Sequence, residues 1–218
     1  MRKSRTKKGK KLNVQPLRTK DEIEDMKVIL RHSQMGSRNY LLFLLGINTG
    51  LRCSDIVQLK VKDVIEDNPV IVEQKTGKWR QISLTSLRPY ISLYIQNNEL
   101  TGNDWLFGSR IGDSHITVNG VYRMLTEAGK KLGRNDIGTH TMRKTYGYWF
   151  YKQFGDVRSL MIDFGHSTQE TTLHYIGITQ DEVLSKKQQL AIGFKKGLLK
   201  VSFKVYSRDI NYISCNCV

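Results

Sequence analysis

Six residues in four short stretches of the sequence have side chains suited to nucleophilic or anion-binding chemistry. A tyrosine hydroxyl has an unperturbed pKa of about 10, so it is a weak nucleophile at neutral pH unless a partner accepts its proton. Arginine stays charged and binds anionic oxygens with two prongs, whereas histidine titrates near neutrality. Each residue alone is also typical of a solvated loop. The six are Arg52 in NTGLRCSD, Lys75 in EQKTGKW, His140 and Arg143 in GTHTMRK, and His166 and Tyr175 in GHSTQETTLHYI.

Capping signals and hydrophobic spacing predict the elements that must carry these residues. Thr19 and Glu22 form a capping box before a first helix, and a second helix is predicted to end near Gly50, which suits a C-terminal cap. The alternating stretches NPVIVEQ and WRQISL, separated by KTGK, predict a β-hairpin with Lys75 near its turn. The sequence therefore predicts a mostly α domain with a small antiparallel β-hairpin (α+β). Further helices are predicted over 86–96, 118–132, 140–154, 156–163, 168–175 and 180–193.

The helix predicted over 140–154 is strongly amphipathic. His140 and Arg143, three positions apart, share one of its faces. Its apolar residues at helical spacing are expected to face the core: Met142, Tyr146, Trp149 and Phe150.

The chain is strongly basic, with 35 Lys and Arg against 20 Asp and Glu in 218 residues and a formal net charge of +15. Such an excess favours a polyanionic partner, with nucleic acid first and a membrane surface second. Residues 1–14 are expected to form a flexible basic arm that contacts DNA or, alternatively, serves only as a solubilising tail. The candidate DNA-binding residues of the arm are Arg2, Lys3, Arg5, Lys7, Lys8, Lys10 and Lys11.

Several other classes of protein are disfavoured. The arm lacks the apolar segment of a secretory signal, and the longest apolar run, YLLFLLGI, is too short to span a bilayer. Cys53, Cys215 and Cys217 do not form a disulfide framework or a zinc pattern, and no phosphate-binding GxxxxGK[ST] motif occurs. We therefore expect no metal site, no cofactor and no membrane association.

The order and spacing of the motifs resemble the catalytic domain of the tyrosine recombinase, or phage integrase, family. TGLRxSD, a hairpin lysine, HxxR, GHS and a downstream tyrosine follow one another along the chain. The spacing is 23 residues from Arg52 to Lys75, 23 from Arg143 to His166 and nine from His166 to Tyr175. Five separated motifs agree, which makes the resemblance specific.

The resemblance implies metal- and ATP-independent cleavage of DNA strands. Tyr175 would attack the scissile phosphate and form a 3′-phosphotyrosyl bond, and a 5′-hydroxyl could later reseal the strand. Arg52 and Arg143 would bind the non-bridging phosphate oxygens, each well-placed donor lowering the barrier by about 3 kcal/mol. His166 would add a further hydrogen bond to the phosphate, and His140 would accept the tyrosine proton.

The hairpin and the segment after Arg52 carry the remaining expected roles. Lys75 would protonate the leaving 5′-oxygen, with Lys78 as the alternative donor. Lys78 and Arg80 are also expected to contact DNA, and Asp55 is expected to support the arginine and the fold around it.

The resemblance extends over residues 15–194, which are expected to form the catalytic domain, and leaves 195–218 as a tail of unknown role. Because only 51 residues precede Arg52, we expect no full N-terminal core-binding domain of the kind that family members close around the duplex. The expected partners are double-stranded DNA and further copies of the chain in a synaptic tetramer. The expected location is cytoplasmic and nucleoid-associated, in a bacterial or phage-infected cell.

Three functions remain open on the sequence. The first is site-specific recombination by the integrase of a mobile element. The second is DNA binding by a non-catalytic regulator or accessory factor that keeps the recombinase fold. The third is the activity of a stand-alone type IB topoisomerase, which uses the same chemistry without exchanging partners.

Overall fold

A computed structural model of the chain describes residues 13–178, together with residues 184, 187 and 188. The elements within these residues confirm the expected fold class, because they are mostly helical with one two-stranded antiparallel sheet. The chain divides into two compact units, and all of these elements lie in the first, Met1–Thr179. The helices are α1 (Lys20–Arg31), α2 (Gly36–Thr49), α3 (Cys53–Ile56), α4 (Arg88–Asn97), α5 (Val118–Lys131), α6 (Thr139–Phe154), α7 (Val157–Phe164) and α8 (Gln169–Ile176), and the strands are β1 (Val70–Val72) and β2 (Trp79–Gln81).

Several expectations concern parts of the chain outside the described residues. The basic residues at 2–11, most of the helix expected over 180–193 and the tail at 195–218 all lie outside them. The segment from residue 13 onward already contacts the helical body, because Lys144 Nζ donates a hydrogen bond to the carbonyl of Val14 at 2.7 Å. Contact with the fold therefore begins within the segment expected to be a free arm.

The first helix begins as its capping signal predicts. The Thr19 hydroxyl accepts from the backbone N–H of Glu22 at 3.1 Å, and the Glu22 carboxylate accepts from the N–H of Thr19 at 3.1 Å. Just before it, the chain runs beside α6, where Leu17 N donates to Thr145 Oγ1 at 2.9 Å and Trp149 Nε1 donates to Leu17 O at 3.0 Å. These bonds tie the start of the described chain to α6.

The main core is built around α2, whose apolar residues surround the helix. Leu42, Phe43 and Leu45 have no exposed surface, and α2 packs against α1, α4 and α6. A helix that is apolar on all sides is stable only when neighbouring elements cover each side. It ends at Gly50, which adopts the left-handed conformation (φ 61°) as its C-cap. Arg52 therefore lies two residues after the buried C-cap of α2, where the chain becomes partly exposed.

The expected hairpin is formed by β1 and β2. Val70 pairs with Gln81, Ile71 with Arg80, and Val72 with Trp79, and the loop between the strands contains Gly77 in the left-handed conformation. Side chains alternate across a strand, so Ile71 and Arg80 point toward the body while Val72 and Trp79 point away. Trp79 is accordingly 79% exposed.

Helix α6 is covered on more sides than its amphipathic pattern indicates. Met142 is buried as expected, whereas Tyr146 and Phe150 pack against a second, smaller core, and Trp149 is only half-buried. Tyr148, which the pattern does not include, is 5% exposed. The reason is that α6 packs against α2 and α5 and also against α7 and α8.

The second core brings α8 close to the backbone of α6. It consists of the buried residues Leu160, Phe164 and Ile176. A Cβ atom placed on Gly147 would lie 2.6 Å from Ile176 Cγ2 and 2.8 Å from the Phe164 ring. Both distances are shorter than van der Waals contact, so α7 and α8 can occupy these positions only because residue 147 has no side chain.

We expect Gly147→Ala to destabilise the protein and displace α8. The added methyl group overpacks the second core, which typically costs about 1–3 kcal/mol, and urea unfolding monitored by circular dichroism measures the loss. Gly108→Ala is the matched control, since a Cβ atom there meets nothing within 4 Å. Equal stability of the two variants would contradict the close approach of α8 to α6.

Candidate active site

Tyr175 lies near the C-terminus of α8, surrounded by rings and a cation. Its ring centroid is 5.2 Å from that of His166, 5.3 Å from that of Phe164 and 6.4 Å from that of His140, all in edge-to-face geometry. Lys144 Nζ lies 5.2 Å from the same ring. The tyrosine is therefore held inside the cluster of expected site residues.

The hydroxyl of Tyr175 is within hydrogen-bonding distance of a histidine. His140 Nδ1 lies 3.1 Å from Tyr175 Oη, across 35 residues of sequence. His140 is in the first turn of α6, and Tyr175 is brought to it by the packing of α8 on the same helix. The two residues form the contact that a nucleophile and its proton acceptor require.

The electrostatic environment keeps the tyrosine protonated and the histidine neutral. Burial raises the pKa of Tyr175, although the positive charges of Arg143 and Arg52 act in the opposite direction. Partial burial lowers the pKa of His140. The positive charges of Lys144, Arg143, Arg52 and Lys75 lower it further. A neutral imidazole beside a protonated phenol is the pair of protonation states needed before proton transfer.

A rival nucleophile close by is disfavoured. The thiol of Cys53, next to Arg52 in sequence, is 8% exposed. Burial and the charge of Asp55 raise its pKa to about 12. A thiol that stays protonated is inert as a nucleophile.

His166 follows the left-handed Gly165 that ends α7. Its Nδ1 lies 3.1 Å from the Oγ1 of Thr172, a fully buried residue of α8. Burial, together with the charges of Arg143 and Arg52, lowers the pKa of His166. The imidazole is thus fixed between α7 and α8 and is neutral in the free protein.

Arg143 is 4% exposed and is held by main-chain oxygens. Its Nη1 donates to Gly50 O at 2.5 Å and its Nη2 to Asp163 O at 3.1 Å, while its guanidinium lies 4.6 Å from the Phe164 ring centroid. Burial and the nearby charge of Arg52 lower its pKa to about 10. Arg143 is therefore still a cation at neutral pH.

Arg52 is held by Glu73, a residue that the motifs did not include. Arg52 Nη1 lies 2.5 Å from Glu73 Oε2, and the side chains are 20% and 6% exposed. Burial opposes ionisation of Glu73, but hydrogen bonds from Arg52 and Thr76 and the neighbouring positive charge lower its pKa below the ordinary value. A guanidinium has five N–H donors, so this ion pair orients Arg52 and leaves donors for a second anion.

Asp55 supports the hairpin rather than the arginine directly. The carboxylate is 3% exposed, and its Oδ1 accepts from the backbone N–H of Gln74 at 3.1 Å. This bond joins α3 to the hairpin loop one residue after Glu73. Asp55 therefore acts on Arg52 through the position of Glu73.

The two candidate lysines of the hairpin are both exposed. Lys75 lies in the loop between the strands, and its charge contributes to the lowered pKa of His140. Lys78 precedes β2 and lines a cleft together with Arg52 and His166. Lys78 therefore lies in the same cleft as Arg52 and His166, and the charge of Lys75 acts on His140.

Arg80 is less exposed than the two candidate lysines and is bonded to oxygens of the fold. Its side chain is 10% exposed, and its Nη2 donates to Thr49 O at 2.7 Å and lies 3.2 Å from Asp163 Oδ2. Its Nη1 donates to Gly50 O at 3.2 Å. Because Arg80 is on the inward face of β2, its guanidinium bonds oxygens of the fold, although it also lines the same cleft as Lys78. Its expected contact with DNA stays a prediction.

A cleft of about 750 Å³ opens beside the site, between β2 and α7. Its lining includes His166 and more cations than anions, namely Arg52, Lys78, Arg80 and Arg158 against Glu73 and Asp163. The exposed side chains of Trp79 and Ile162 also lie on it. The cleft is therefore a basic surface that leads to two of the expected site residues.

The structure adds residues to the site that the motifs did not reveal, among them Glu73, Phe164, Asp163 and Thr172. For Glu73 a signal was present, since an acid two positions after Ile71 in an alternating strand falls on the inward face. Asp163 accepts from the Tyr146 hydroxyl at 2.7 Å as well as pairing with Arg80. No local pattern marks Asp163 or Phe164, whose contacts come from distant elements.

Two further observations concern the described residues only. They contain no group of three or more His, Cys, Asp or Glu side chains arranged to hold a metal ion. None of the helices formed by the described residues is long and apolar enough to cross a membrane.

Solved structures of recombinases share the fold. The crystal structure of XerA recombinase superposes with a TM-score of 0.65 and 23% identity, covering 80% of this chain and 65% of XerA. XerH site-specific recombinase in a post-cleavage complex with its palindromic difH substrate superposes with a TM-score of 0.63 and 21% identity, covering 82% of this chain and 53% of XerH.

Sequence comparison gives closer relatives. The chain is 41% identical over 170 residues to the probable integrase/recombinase YoeC of Bacillus subtilis, covering 77% of this chain and 92% of YoeC. It is 29% identical over 170 residues to the tyrosine recombinase XerC of Staphylococcus epidermidis, covering 75% of this chain but only 57% of XerC. Residues 17–182 match the profile of the phage integrase family. The chain therefore belongs to the phage integrase family.

Proposed function

We propose that the protein cleaves and rejoins DNA strands in site-specific recombination through a covalent 3′-phosphotyrosyl intermediate. The observation that carries this proposal is the 3.1 Å contact between His140 Nδ1 and the Tyr175 hydroxyl within a cluster of cations. A neutral imidazole at that distance can take the phenolic proton as the oxygen attacks phosphorus. Membership of the phage integrase family supports the same reaction.

The bond changes balance without a cofactor. Tyr175 Oη forms a bond to phosphorus and passes its proton to His140, and the bond from phosphorus to the 5′-oxygen breaks. Lys75, or alternatively Lys78, gives the leaving 5′-oxygen a proton. Attack by a 5′-hydroxyl on the phosphotyrosyl ester reverses these steps, so the energy of the broken phosphodiester is kept in the intermediate.

The two arginines are suited to bind the phosphate. Negative charge grows on its non-bridging oxygens in the transition state, and preorganised donors stabilise that charge without further reorganisation. Arg52 is oriented by Glu73, and Arg143 is held by main-chain oxygens. His166, fixed beside them by Thr172, would contribute a third contact.

We further propose that double-stranded DNA is the partner and that copies of the chain assemble on it as a synaptic tetramer. The net charge of +15 and the basic cleft favour DNA, and the basic residues at 2–11 would add phosphate contacts. The chain spans little more than half the length of XerC. Such a protein would act in the cytoplasm, at the nucleoid of a bacterial or phage-infected cell.

We expect Tyr175→Phe to abolish a covalent complex with DNA. A suicide duplex nicked close to the scissile phosphate releases the short 5′-hydroxyl fragment, so a cleaving enzyme is trapped as an adduct that survives sodium dodecyl sulfate. Tyr151→Phe, on α6, is the control because it also removes one phenolic hydroxyl. If the wild type forms no adduct on its cognate site, the protein is a non-catalytic DNA-binding factor instead.

Strand exchange separates recombination from topoisomerase activity. We expect joining of a cleaved strand to a second duplex that carries the same site. Relaxation of supercoiled DNA with no joined product would favour the topoisomerase.

Arg52→Lys should cut the rate of adduct formation by at least 100-fold. Lysine keeps the charge but cannot fork onto two phosphate oxygens while it pairs with Glu73, and loss of one preorganised donor typically costs 10²–10³ in rate, roughly. Arg31→Lys, which makes the same exchange at the end of α1, should leave the rate unchanged. A near-normal rate in Arg52→Lys would remove Arg52 from the phosphate site.

Adduct formation at saturating DNA should slow as the pH falls through the pKa of His140. Its pKa in the free protein lies below the ordinary value, so the ring is neutral at pH 7 and loses its capacity to accept a proton only on acidification. His140→Gln should be slow and lack this acidic limb in single-turnover rates between pH 5 and 8, roughly. A limb that persists in His140→Gln would assign it to another group.

A further inference from the structure

Thr172 is a buried residue of α8 that no motif marks, and it contacts His166 directly. Its Oγ1 lies 3.1 Å from His166 Nδ1 and 3.1 Å from the carbonyl oxygen of Thr168, one turn earlier. The residue has no exposed surface, so water does not compete for its hydroxyl. The threonine thus has two partners and a single proton to share between them.

Because the Thr172 hydroxyl has one proton and two partners, the donor and the acceptor of each of its two hydrogen bonds can be assigned. The carbonyl of Thr168 can only accept, so the Thr172 hydroxyl donates its one proton there. Its oxygen can then only accept from His166, and the proton of that bond must be on Nδ1. A neutral His166 therefore carries its hydrogen on Nδ1 and a lone pair on Nε2.

This arrangement has a consequence for a phosphate ligand. Phosphate oxygens are acceptors, and Nε2 of the neutral Nδ1–H tautomer is also an acceptor, so the two repel each other. His166 can donate from Nε2 only after it takes up a second proton from solvent. A phosphodiester would stabilise that imidazolium through its negative charge.

We propose that Thr172 is a positioning residue that locks His166 in the Nδ1–H tautomer, so that His166 can donate to the scissile phosphate only after proton uptake. The proposal rests on the proposed function for the identity of the phosphate. The tautomer itself is a property of the free protein and does not depend on cleavage.

The charged groups around His166 set the balance between its two states. Arg143 on α6 and Arg52 before α3 both disfavour the imidazolium in the free protein, and burial acts in the same direction. Lys78, Arg80 and Arg158 line the same cleft as further cations, whereas the carboxylates of Glu73 and Asp163, paired with Arg52 and Arg80, line it as anions. The ring of Tyr175 on α8 contributes no charge while it is protonated. A bound phosphate would add a negative charge that favours the imidazolium, so phosphate binding and protonation of His166 would favour each other.

The tautomer can be measured on the full chain without DNA. Nitrogen-15 chemical shifts from long-range correlation spectra distinguish protonated from unprotonated ring nitrogens, and His166→Gln assigns the signals. We expect Nδ1–H in the wild type and in Thr172→Ser, which keeps the hydroxyl. We expect Nε2–H to appear in Thr172→Val, which is similar in shape but cannot accept the bond.

Thr171→Val is the matched control, because Thr171 is exposed and does not contact His166. It should keep the Nδ1–H tautomer. An Nε2–H tautomer in the wild type, or unchanged nitrogen shifts in Thr172→Val, would overturn the proposal. If Thr172→Val fails to fold, the wild type and Thr172→Ser still decide it.

A second experiment measures whether DNA binding is coupled to proton uptake by His166. Binding of a nicked duplex to Tyr175→Phe, which cannot cleave, should weaken by up to about tenfold per pH unit above the pKa of free His166, the slope for uptake of one proton. Thr172→Val in the same background should show a shallower slope. Equal slopes would refute the coupling, whereas absence of the Tyr175-dependent adduct with the expected tautomer would refute only the proposed function.

Discussion

The carbonyl oxygen of Gly50 is the point on which the site depends. It accepts from Arg143 Nη1 at 2.5 Å and from Arg80 Nη1 at 3.2 Å, and so joins the end of α2 to α6 and to the hairpin. Carbonyls at a helix C-terminus carry partial negative charge, which offsets the repulsion between two guanidinium groups. The left-handed conformation of Gly50 aims the carbonyl, and the Tyr146 ring packs where a side chain would lie.

Repulsion between neighbouring cations must also be offset elsewhere in the site, in a chain whose net charge is +15. Glu73 balances Arg52, and Asp163 balances Arg80 with one side-chain oxygen while its main-chain oxygen accepts from Arg143. Burial and the remaining excess of positive charge both lower the pKa values of His140 and His166, whereas the same positive charge opposes the rise that burial causes in the pKa of Tyr175. The free site therefore keeps more positive charge than its carboxylates balance.

Tyr175, the proposed nucleophile, packs against the smaller of the two cores. Helix α8 has eight residues and is held by Ile176 against Gly147, by Thr172 beneath His166, and at its end by Arg18, which donates to the carbonyl of Gly177 at 2.7 Å. Short elements with little buried surface open more readily than a central helix such as α2. Tyr175 therefore packs against the smaller core, and Arg143 contacts Phe164 of that core from α6.

The sequence alone determined the elements and the fold class, because these depend on local signals, and it supplied the candidate site residues. The left-handed cap at Gly50, the hairpin turn and the extent of α6 are recorded in nearby residues, and the motif order indicated the family, which the comparisons confirm. Only the tertiary structure decided which side chains contact each other. That Arg80 turns inward to Asp163, that Glu73 rather than Asp55 holds Arg52, and that Thr172 meets His166 depend on which side chains face each other across elements. Such contacts arise from three-dimensional packing, and a one-dimensional pattern records only which face a residue occupies, not what lies opposite it.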